Sequence, residues 1–275
     1  KNAMAGLPAG GGKAVILADN ARTKTQDRLD AFARAVDSLG GRYITAQDVG
    51  MSEDDMVSLA RVTPHVAGLP GQGGDPGPYT ARGVYLGVKA AAKQALGTTD
   101  LEGVHVAIQG VGSVGGGTAR HLAAQGAKLT LSDVDSARAA ALATELGAQT
   151  VEASEIMRVE ADIFSPCALG AILTETSVAA LRVKAVAGGA NNQLATGTEG
   201  RMLADRGILY APDYVINAGG IINVLRHIDG AGDAEINTRI DAIPGRLESI
   251  WTESARTGQT SAEVADQMAK GLIGR

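Results

Sequence analysis

Strand-like and helix-like patterns alternate through the middle of the chain. An apolar run at 104–108 is followed by a glycine turn, a helical period through Leu122 and a second β-rich run at 129–131. Apolar spacing predicts further elements of both kinds, helices at 136–146, 177–181 and 200–206 and strands at 149–151, 162–164, 184–187 and 208–210. Strands separated by helices form parallel sheets with helices on both faces. We therefore predict the α/β class, with a doubly wound parallel sheet.

The two ends of the chain have different patterns. Before the middle part, the pattern predicts a strand at 14–17, a helix at 24–39, a strand at 43–45 and a helix at 56–62. Repeated Gly and Pro at 64–78 predict an exposed loop before a helix at 81–94, and from Ala218 the pattern is helical, with Trp251 packing a closing helix. We expect three parts, a small α/β domain at 1–68, the main sheet at 69–217 and C-terminal helices at 218–275.

The turn after the first apolar run has the spacing of a dinucleotide-binding loop. Its motif is Gly110-Val-Gly112-Ser-Val-Gly115, and the second β-rich run ends on Asp133, 23 positions after the first glycine. Glycines let the backbone turn tightly and approach a pyrophosphate at the helix N-terminus. The predicted cofactor-binding residues here are Gly110, Gly112, Ser113, Val114, Gly115 and Asp133. We therefore expect a Rossmann-type sheet that binds a dinucleotide. NAD is favoured over NADP, since a carboxylate that accepts hydrogen bonds from the ribose hydroxyls repels a 2′-phosphate. The alternatives are that the glycine loop is an ordinary tight turn and that Asp135 is the acid.

Composition excludes several classes of function. The chain has 275 residues, 45% of them hydrophobic, and a formal net charge of −5 without a dense Lys/Arg run, which argues against nucleic acid or an anionic membrane as the main partner. One cysteine excludes an internal disulfide, and the four histidines lack ligand spacing, so we expect no metal. No apolar run reaches the roughly 18 residues that span a bilayer. These features predict a cytoplasmic protein.

Two polar residues near predicted strand ends are candidates for acid–base chemistry. Lys13 follows three glycines, and flanking glycine and apolar strand would desolvate it and lower its pKa toward that of a general base. Asp48 could then exchange protons beside it. A solvated lysine and a turn aspartate are the alternatives, and the glycine run is not a nucleotide phosphate loop because positions Leu7 and Ala14 break that motif.

Further candidates follow strands at the edge where parallel sheets bind ligands. Asn191 and Asn192 lie after two glycines, and Asn217 precedes another glycine pair, although Asn and Gly are also ordinary turn formers. Cys167 lacks an acid–base partner in the sequence and is interpreted, with Ala168, as a wall residue of the cofactor site.

Several longer motifs resemble one enzyme family. The stretches KNAMAGLPAGGGKAVI, RYITAQDVG, GVGSVGG, SPCALGA, AGGANNQL and ILYAPDYVINAGGIINV, in this order, are similar to the glutamate/leucine/phenylalanine/valine dehydrogenases, most of all to the leucine branch. The resemblance covers nearly the whole chain. It implies a substrate domain, of which an N-terminal part would precede Lys1, an NAD domain and last helices that return to the substrate domain. It also implies a homo-oligomer.

The resemblance also implies roles for individual residues. Lys1 would bind the substrate carboxylate, Lys13 would be the catalytic base and Asp48 would exchange protons with the amine. Thr80 would reach the nicotinamide carboxamide, and Asn191 or Asn192 would help to fix substrate and cofactor. The implied reaction is reversible oxidative deamination of an L-amino acid to a 2-oxo acid and ammonia, through an iminium and a carbinolamine.

The implied side-chain pocket is apolar. Its residues match Ala46, Ile221 and Val224, which disfavours glutamate and leads us to expect leucine, valine and isoleucine as substrates. Phenylalanine is the alternative substrate within the family. A non-catalytic NAD-binding module and an ammonia-independent hydroxy acid oxidoreductase are the competing functions.

Overall fold

A small parallel sheet and two helices form the first part of the molecule. The computed structural model describes residues 1–17, 23–48, 50–71 and 74–274. Strands β1 (Thr45–Ala46) and β2 (Val66–Ala67) pair in parallel, and helices α1 (Gln26–Asp37) and α2 (Glu53–Ala60) pack beside them. The shared core includes the buried side chains of Leu29, Ala33, Met56, Leu59 and Val66.

A capping box begins α2. The Ser52 side chain accepts a hydrogen bond from the Asp55 N–H group, and the Asp55 carboxylate accepts one from the Ser52 N–H group at 2.7 Å. Both groups are donors that a helix start leaves without intrahelical partners. The helix therefore begins at Glu53, three positions before the predicted Met56.

A six-stranded parallel sheet forms the centre of the molecule. Its strands are β3 (His105–Gln109), β4 (Lys128–Ser132), β5 (Gln149–Thr150), β6 (Ile163–Pro166), β7 (Ala185–Val186) and β8 (Leu209–Tyr210). The spatial order is β5-β4-β3-β6-β7-β8, and every neighbouring pair is parallel. This order is that of the Rossmann fold, whose ligands bind where the strand order reverses, here between β3 and β6. The predicted fold class is confirmed.

Helices cover both faces of this sheet. They are α3 (Gly77–Leu96), α4 (Ser113–Ala123), α5 (Ser136–Leu146), a 3-10 turn at Ile156–Arg158, α6 (Glu175–Ala180) and α7 (Thr198–Asp205). Successive side chains of β3 point to opposite faces of the sheet. Val106 and Ile108 pack in the buried cluster on one face, and Ala107 packs in the cluster on the other. Burial on both faces explains the continuous apolar run of β3.

The C-terminal helices pack against α3. They are α8 (Asp213–Ile216), α9 (Gly219–Asp229), α10 (Asp233–Asp241), α11 (Ile243–Thr257) and α12 (Ser261–Leu272). Gly87 on α3 lies so close to α8 that a Cβ there would be 2.3 Å from Ile216 Cγ1. Trp251 is 3% exposed and donates from its indole nitrogen to the Tyr210 carbonyl at 2.9 Å. None of the helices in the described residues is long and apolar enough to cross a membrane.

Two predictions about the N-terminal part are wrong. Residues 14–17 form no strand, and Val15 and Leu17 are 78% and 90% exposed. A strand requires a partner ladder, and within the described residues this segment has none. The predicted loop at 64–78 contains β2 and the first turn of α3, which begins at Gly77 with Pro78 in a position that helices tolerate.

Candidate active site

The glycine loop joins β3 to α4 at the point where the strand order reverses. Gly110 has a φ of +82°, which favours glycine. A Cβ on Gly115 would lie 1.9 Å from the Gly110 carbonyl oxygen, so only glycine lets α4 approach the loop this closely. At Gly112, no atom of the described residues lies within 4 Å of where a Cβ would stand. The loop is therefore closed toward the sheet and open on the Gly112 side, as a bound pyrophosphate requires.

Asp133 lies directly beside this loop. Its side chain is 7% exposed, and its carboxylate accepts hydrogen bonds from the N–H groups of Val111 at 2.8 Å and of Asp135 at 2.9 Å. Asp135 itself caps α5, since its side chain accepts a hydrogen bond from the Arg138 N–H group at 3.0 Å. Of the two candidate acids, Asp133 is therefore the one attached to the glycine loop.

The loop after β6 forms the facing wall. A Cβ on Gly110 would lie 2.8 Å from the Ala168 Cβ, and one on Gly115 would lie 3.0 Å from the Cys167 Cβ. Burial raises the pKa of the Cys167 thiol, and the Ser165 hydroxyl lies 3.6 Å from its sulfur. A thiol with a raised pKa is a poor nucleophile. This environment suits a wall residue.

Two asparagines connect the sheet edge to the start of the chain. Lys1 donates from Nζ to Asn191 Oδ1 at 2.9 Å, and Asn217 donates to the same oxygen at 2.8 Å and to the Gly189 carbonyl at 3.0 Å. Asn217 is 4% exposed, and within the described residues its Oδ1 has no hydrogen-bond partner. A buried acceptor of this kind is suited to a donor from a bound ligand.

The ammonium group of Lys1 lies in a mixed electrostatic environment. Burial of the ammonium is the largest effect and lowers the pKa of Lys1 to about 8, helped by the positive charge of Lys13 and opposed by the Asp213 carboxylate. Lys13 is therefore near enough to Lys1 for its positive charge to act on it.

Lys13 and Asp48 form an ion pair. The Asn2 side chain donates to the Gly10 carbonyl, and Gly12 lies against the Tyr43 ring, which together shape the turn before Lys13. The prediction that Lys13 is desolvated is wrong, because its side chain is 74% exposed. Residues 14–17 do not form the strand expected beside it, and Val15 and Leu17 are exposed, so this segment gives Lys13 no apolar surroundings.

The remaining candidates lie on four different elements. Thr80 on α3 donates to the Pro76 carbonyl at 3.0 Å, and its hydroxyl would be 2.7 Å from a Cβ on Gly220. Ile221 and Val224 are half-buried on α9, Ala46 is half-buried on β1, and Asn192 is exposed in the loop after β7 with a φ of +51°. In the described residues no group of His, Cys, Asp or Glu could hold a metal ion.

Sequence reasoning missed three polar residues near these groups. Asp75 accepts hydrogen bonds from the Ser113 hydroxyl at 3.1 Å and from the Gly77 N–H group at 2.8 Å, at the open end of the glycine loop. Asp213 and Gln193 are buried beside Asn191 and Asn192. For Asp213 a signal was available, since it lies three positions after the end of the strand predicted at 208–210.

Comparison with known proteins assigns the family. Residues 1–65 match the model of the Glu/Leu/Phe/Val dehydrogenase dimerisation domain, and residues 133–263 match that of Glutamate/Leucine/Phenylalanine/Valine dehydrogenase. Leucine dehydrogenase of Thermoactinomyces intermedius is 44% identical over 99% of this chain and 75% of its own length. Phenylalanine dehydrogenase of Bacillus thermotolerans is 38% identical over 99% of this chain and 74% of its own length.

Solved structures agree with this assignment. The crystal structure of L-tryptophan dehydrogenase from Nostoc punctiforme superposes with a TM-score of 0.84 at 41% identity, and the match covers 99% of this chain and 79% of that one. A hetero-hexameric glutamate dehydrogenase from Thermus thermophilus shares the fold with a TM-score of 0.76 at 20% identity, over 98% of this chain and 74% of that one. The chain therefore belongs to the Glu/Leu/Phe/Val dehydrogenase family and is an amino acid dehydrogenase, an oxidoreductase that acts on small molecules.

Proposed function

We propose that this protein catalyses the reversible, NAD-dependent oxidative deamination of branched-chain L-amino acids to 2-oxo acids and ammonia. The observation that carries the proposal is the convergence of two lysines and an aspartate near the carboxyl edge of a dinucleotide-type sheet. Lys1 is bonded to Asn191 at that edge, and the Lys13–Asp48 pair lies close enough to influence its charge.

The glycine loop supports a bound dinucleotide. Gly110, Gly112, Ser113, Val114 and Gly115 would hold the pyrophosphate at the N-terminus of α4, where free N–H groups favour an anion. Thr80, Cys167, Ala168, Asn191 and Asn217 would line the nicotinamide end. When bound, the nicotinamide ring supplies the hydride acceptor for the Cα hydrogen of the substrate.

Asp133 supports NAD over NADP. Its carboxylate is buried against the Val111 N–H group, at the position where the ribose of the adenosine would lie. A negative charge there accepts the 2′- and 3′-hydroxyls and repels a 2′-phosphate.

The chain's own groups account for the remaining steps. The Lys1 ammonium binds the substrate carboxylate, with Asn192 beside it, and holds Cα in place. After oxidation to the iminium, Lys13 acts as the base and takes a proton from water as the water oxygen bonds to Cα. Lys13 passes this proton to Asp48, and Asp48 delivers it to the nitrogen of the carbinolamine. Lys13 then takes the hydroxyl proton as the C=O bond forms and the C–N bond breaks, and ammonia and the 2-oxo acid leave.

The pocket residues favour a branched aliphatic side chain. Ala46, Ile221 and Val224 are apolar, so they offer no charge to a γ-carboxylate. Relatives named for leucine, tryptophan and phenylalanine all match this chain at similar coverage. Because one methylene changes discrimination by only about 1 to 3 kcal/mol, a broad profile with phenylalanine as the second substrate is the alternative.

We also propose the organisation of the whole enzyme. Residues 1–68 would form part of the substrate domain, 69–217 the NAD domain and 218–275 helices that return to the first part. The match of residues 1–65 to a dimerisation domain favours a homo-oligomer. The single cysteine, Cys167, is free and favours a reducing cytoplasm.

The decisive experiment measures NADH oxidation with 4-methyl-2-oxopentanoate, phenylpyruvate and 2-oxoglutarate, each with and without ammonium. We expect ammonium-dependent turnover that is fastest with the branched oxo acid. Turnover without ammonium would contradict the reaction, and faster turnover of phenylpyruvate would contradict only the substrate.

The variant Lys13→Ala tests the proposed base. It should lose turnover by at least about 100-fold, the range for removal of a general base, while it keeps its affinity for NADH. Lys24→Ala is a matched control, because this lysine pairs with Asp55 on α2 and not with Asp48. Turnover near that of the parent enzyme in Lys13→Ala would remove Lys13 from the mechanism.

A further inference from the structure

Asp213 is a buried carboxylate next to the site that the proposed mechanism does not use. It is 8% exposed and is the first residue of α8, three positions after the carboxyl end of β8. Its Oδ2 accepts a hydrogen bond from the Gln193 N–H group at 2.8 Å. Burial raises the pKa of the Asp213 carboxyl, and the nearby backbone of Gln193, Tyr214 and Asn192 opposes that rise. A buried carboxylate that accepts from a backbone N–H group restrains the backbone at that position.

The loop that Asp213 holds is also fixed from within. The Gln193 side chain is fully buried and donates from Nε2 to the carbonyls of Gly188 at 2.8 Å and Ala190 at 3.0 Å. Asn192 has a left-handed backbone with a φ of +51°, which costs energy in a residue other than glycine. Hydrogen bonds from Gln193 to Asp213 and to the carbonyls of Gly188 and Ala190 therefore restrain the backbone conformation of the 188–193 loop.

This loop carries the partner of Lys1. Asn191 lies between the backbone positions that Asp213 and Gln193 hold, and its Oδ1 accepts from Lys1 at 2.9 Å and from Asn217 at 2.8 Å. A change in the loop would move the oxygen to which the Lys1 ammonium is bonded. Geometry alone thus connects Asp213 to the proposed substrate carboxylate site.

The charge of Asp213 also acts on Lys1. Other charged or titratable groups beside the two residues are Lys13, which acts on the Lys1 side chain, the α-amino group of Lys1, and the hydroxyls of Tyr210 and Tyr214, next to Asp213. Tyr214 donates its hydroxyl hydrogen to Asp266 at 2.7 Å. Asp213 is the one carboxylate among the described groups that favours the charged form of the Lys1 side chain.

We propose that Asp213 is a positioning residue for substrate binding, which holds the 188–193 loop so that Asn191 orients the Lys1 ammonium. The negative charge of Asp213 is a second, electrostatic connection to that ammonium. This inference rests on the proposed function, in which Lys1 binds the substrate carboxylate.

The direction of the pH effect follows from the charges. Burial lowers the pKa of Lys1 to about 8, and the Asp213 carboxylate opposes this decrease. Loss of the carboxylate charge therefore lowers the pKa of Lys1 further. Above that pKa the neutral amine attracts the substrate carboxylate less, so the KM for the oxo acid rises at a lower pH in the variant.

The experiment compares Asp213→Asn with the parent enzyme. The KM for 4-methyl-2-oxopentanoate is measured with saturating NADH and ammonium between about pH 6.5 and about pH 9.5, a range that spans the titration of a lysine with a lowered pKa. We expect the alkaline rise in KM to move to lower pH by about one pH unit and the KM at pH 8 to increase by about fivefold. NADH affinity, measured by fluorescence, should stay within about twofold, since Asp213 lies outside the glycine loop.

A second buried carboxylate provides the control. Glu199 is 2% exposed and accepts from the Thr196 N–H group at 2.7 Å, but it lies on α7 and has no contact with Lys1. Glu199→Gln should lower thermal stability without moving the pH profile. An equal movement in both variants would overturn the inference, because it would make the effect one of general destabilisation.

The variant Asp213→Glu keeps the charge and tests the inference even where Asp213→Asn fails to fold. It should raise the KM through altered loop geometry and leave the alkaline rise at the parent pH. Two results would overturn the inference. One is an alkaline rise in KM that moves to lower pH in Asp213→Glu by as much as expected for loss of the charge. The other is a KM in Asp213→Asn that equals that of the parent enzyme at every pH.

Lys1→Gln separates this inference from the proposed function. If Lys1→Gln leaves the KM for the oxo acid unchanged, the proposed role of Lys1 fails and the inference fails with it. If Lys1→Gln raises the KM while Asp213→Asn does not, only the role of Asp213 is refuted.

Discussion

Replacing Gly112 by alanine should separate cofactor binding from folding. No atom of the described residues lies within 4 Å of a Cβ at this position, and the backbone angles, φ −68° and ψ −158°, are extended and accessible to alanine. Gly112 also caps α4, where alanine is a poorer cap than glycine. This loss offsets the gain of about 0.4 to 1 kcal/mol from a less flexible unfolded chain, so the net change in stability is within about 1 kcal/mol.

The Cβ of an alanine at position 112 would stand where the pyrophosphate must approach the backbone. If it prevents one hydrogen bond between an N–H group and a phosphate oxygen, the loss is about 1.5 to 3 kcal/mol. This corresponds to an increase in the Kd for NADH of about 10- to 100-fold. Gly115→Ala is the matched comparison, because its Cβ would lie 1.9 Å from the Gly110 carbonyl oxygen and should destabilise the fold by about 1 to 3 kcal/mol.

Two measurements distinguish the variants. Thermal unfolding should give a midpoint for Gly112→Ala close to that of the parent and a midpoint for Gly115→Ala that is lower by several degrees. Fluorescence titration with NADH should show weak binding in both. An NADH affinity in Gly112→Ala within about twofold of the parent would refute the assignment of this loop to the pyrophosphate, since a loss of one charged hydrogen bond exceeds that change.

The other predictions concern the closing helix and the choice of cofactor. Trp251→Phe removes the indole donor to the Tyr210 carbonyl and should lower the free energy of unfolding by about 1 to 3 kcal/mol, as measured by chemical denaturation. An unchanged midpoint would show that this bond does not hold α11 to the sheet. Asp133→Asn should reduce the ratio of kcat/KM for NADH over NADPH by about tenfold, through loss of charge repulsion. Asp135→Asn, at the cap of α5, should leave that ratio unchanged. If the ratio falls in Asp135→Asn and not in Asp133→Asn, Asp135 is the acid that binds the ribose.

Sequence patterns predicted the elements whose signal is local. The apolar periods of α1 and α5 gave helix positions within two residues of Gln26–Asp37 and of Ser136–Leu146. The strand predicted at 43–45 overlaps β1 at 45–46 by one residue, whereas β2 at 66–67 lies in a predicted loop. A strand of two residues is too short to show a period, and β2 exists through its pairing with β1. The apolar run at 14–17 had the composition of a strand but lacks a partner in the described chain.

The same distinction applies to the candidate site. Strand, glycine turn, helix and Asp133 all lie within thirty positions of one another, so their order alone predicted a dinucleotide loop. The exposure of Lys13 and the burial of Asp213 depend on contacts between distant segments, and no local pattern encodes them. For that reason the sequence predicted the residue types of the catalytic groups better than their environments.

Hydrogen bonds between distant segments join the start of the chain to the rest of the molecule, and this has a consequence for catalysis. Lys1 contacts Asn191 across a separation of 190 positions, and Arg246 on α11 donates to the Ala5 carbonyl at 3.3 Å across 241 positions. The proposed carboxylate site and the dinucleotide loop are thus held on different segments, and their relative geometry depends on these contacts. Hydride transfer requires substrate and cofactor to lie at a defined distance, and a displacement of about 1 Å can cost about 100-fold in rate. The residues that fix the 188–193 loop should therefore affect turnover although they contact neither the substrate nor the cofactor.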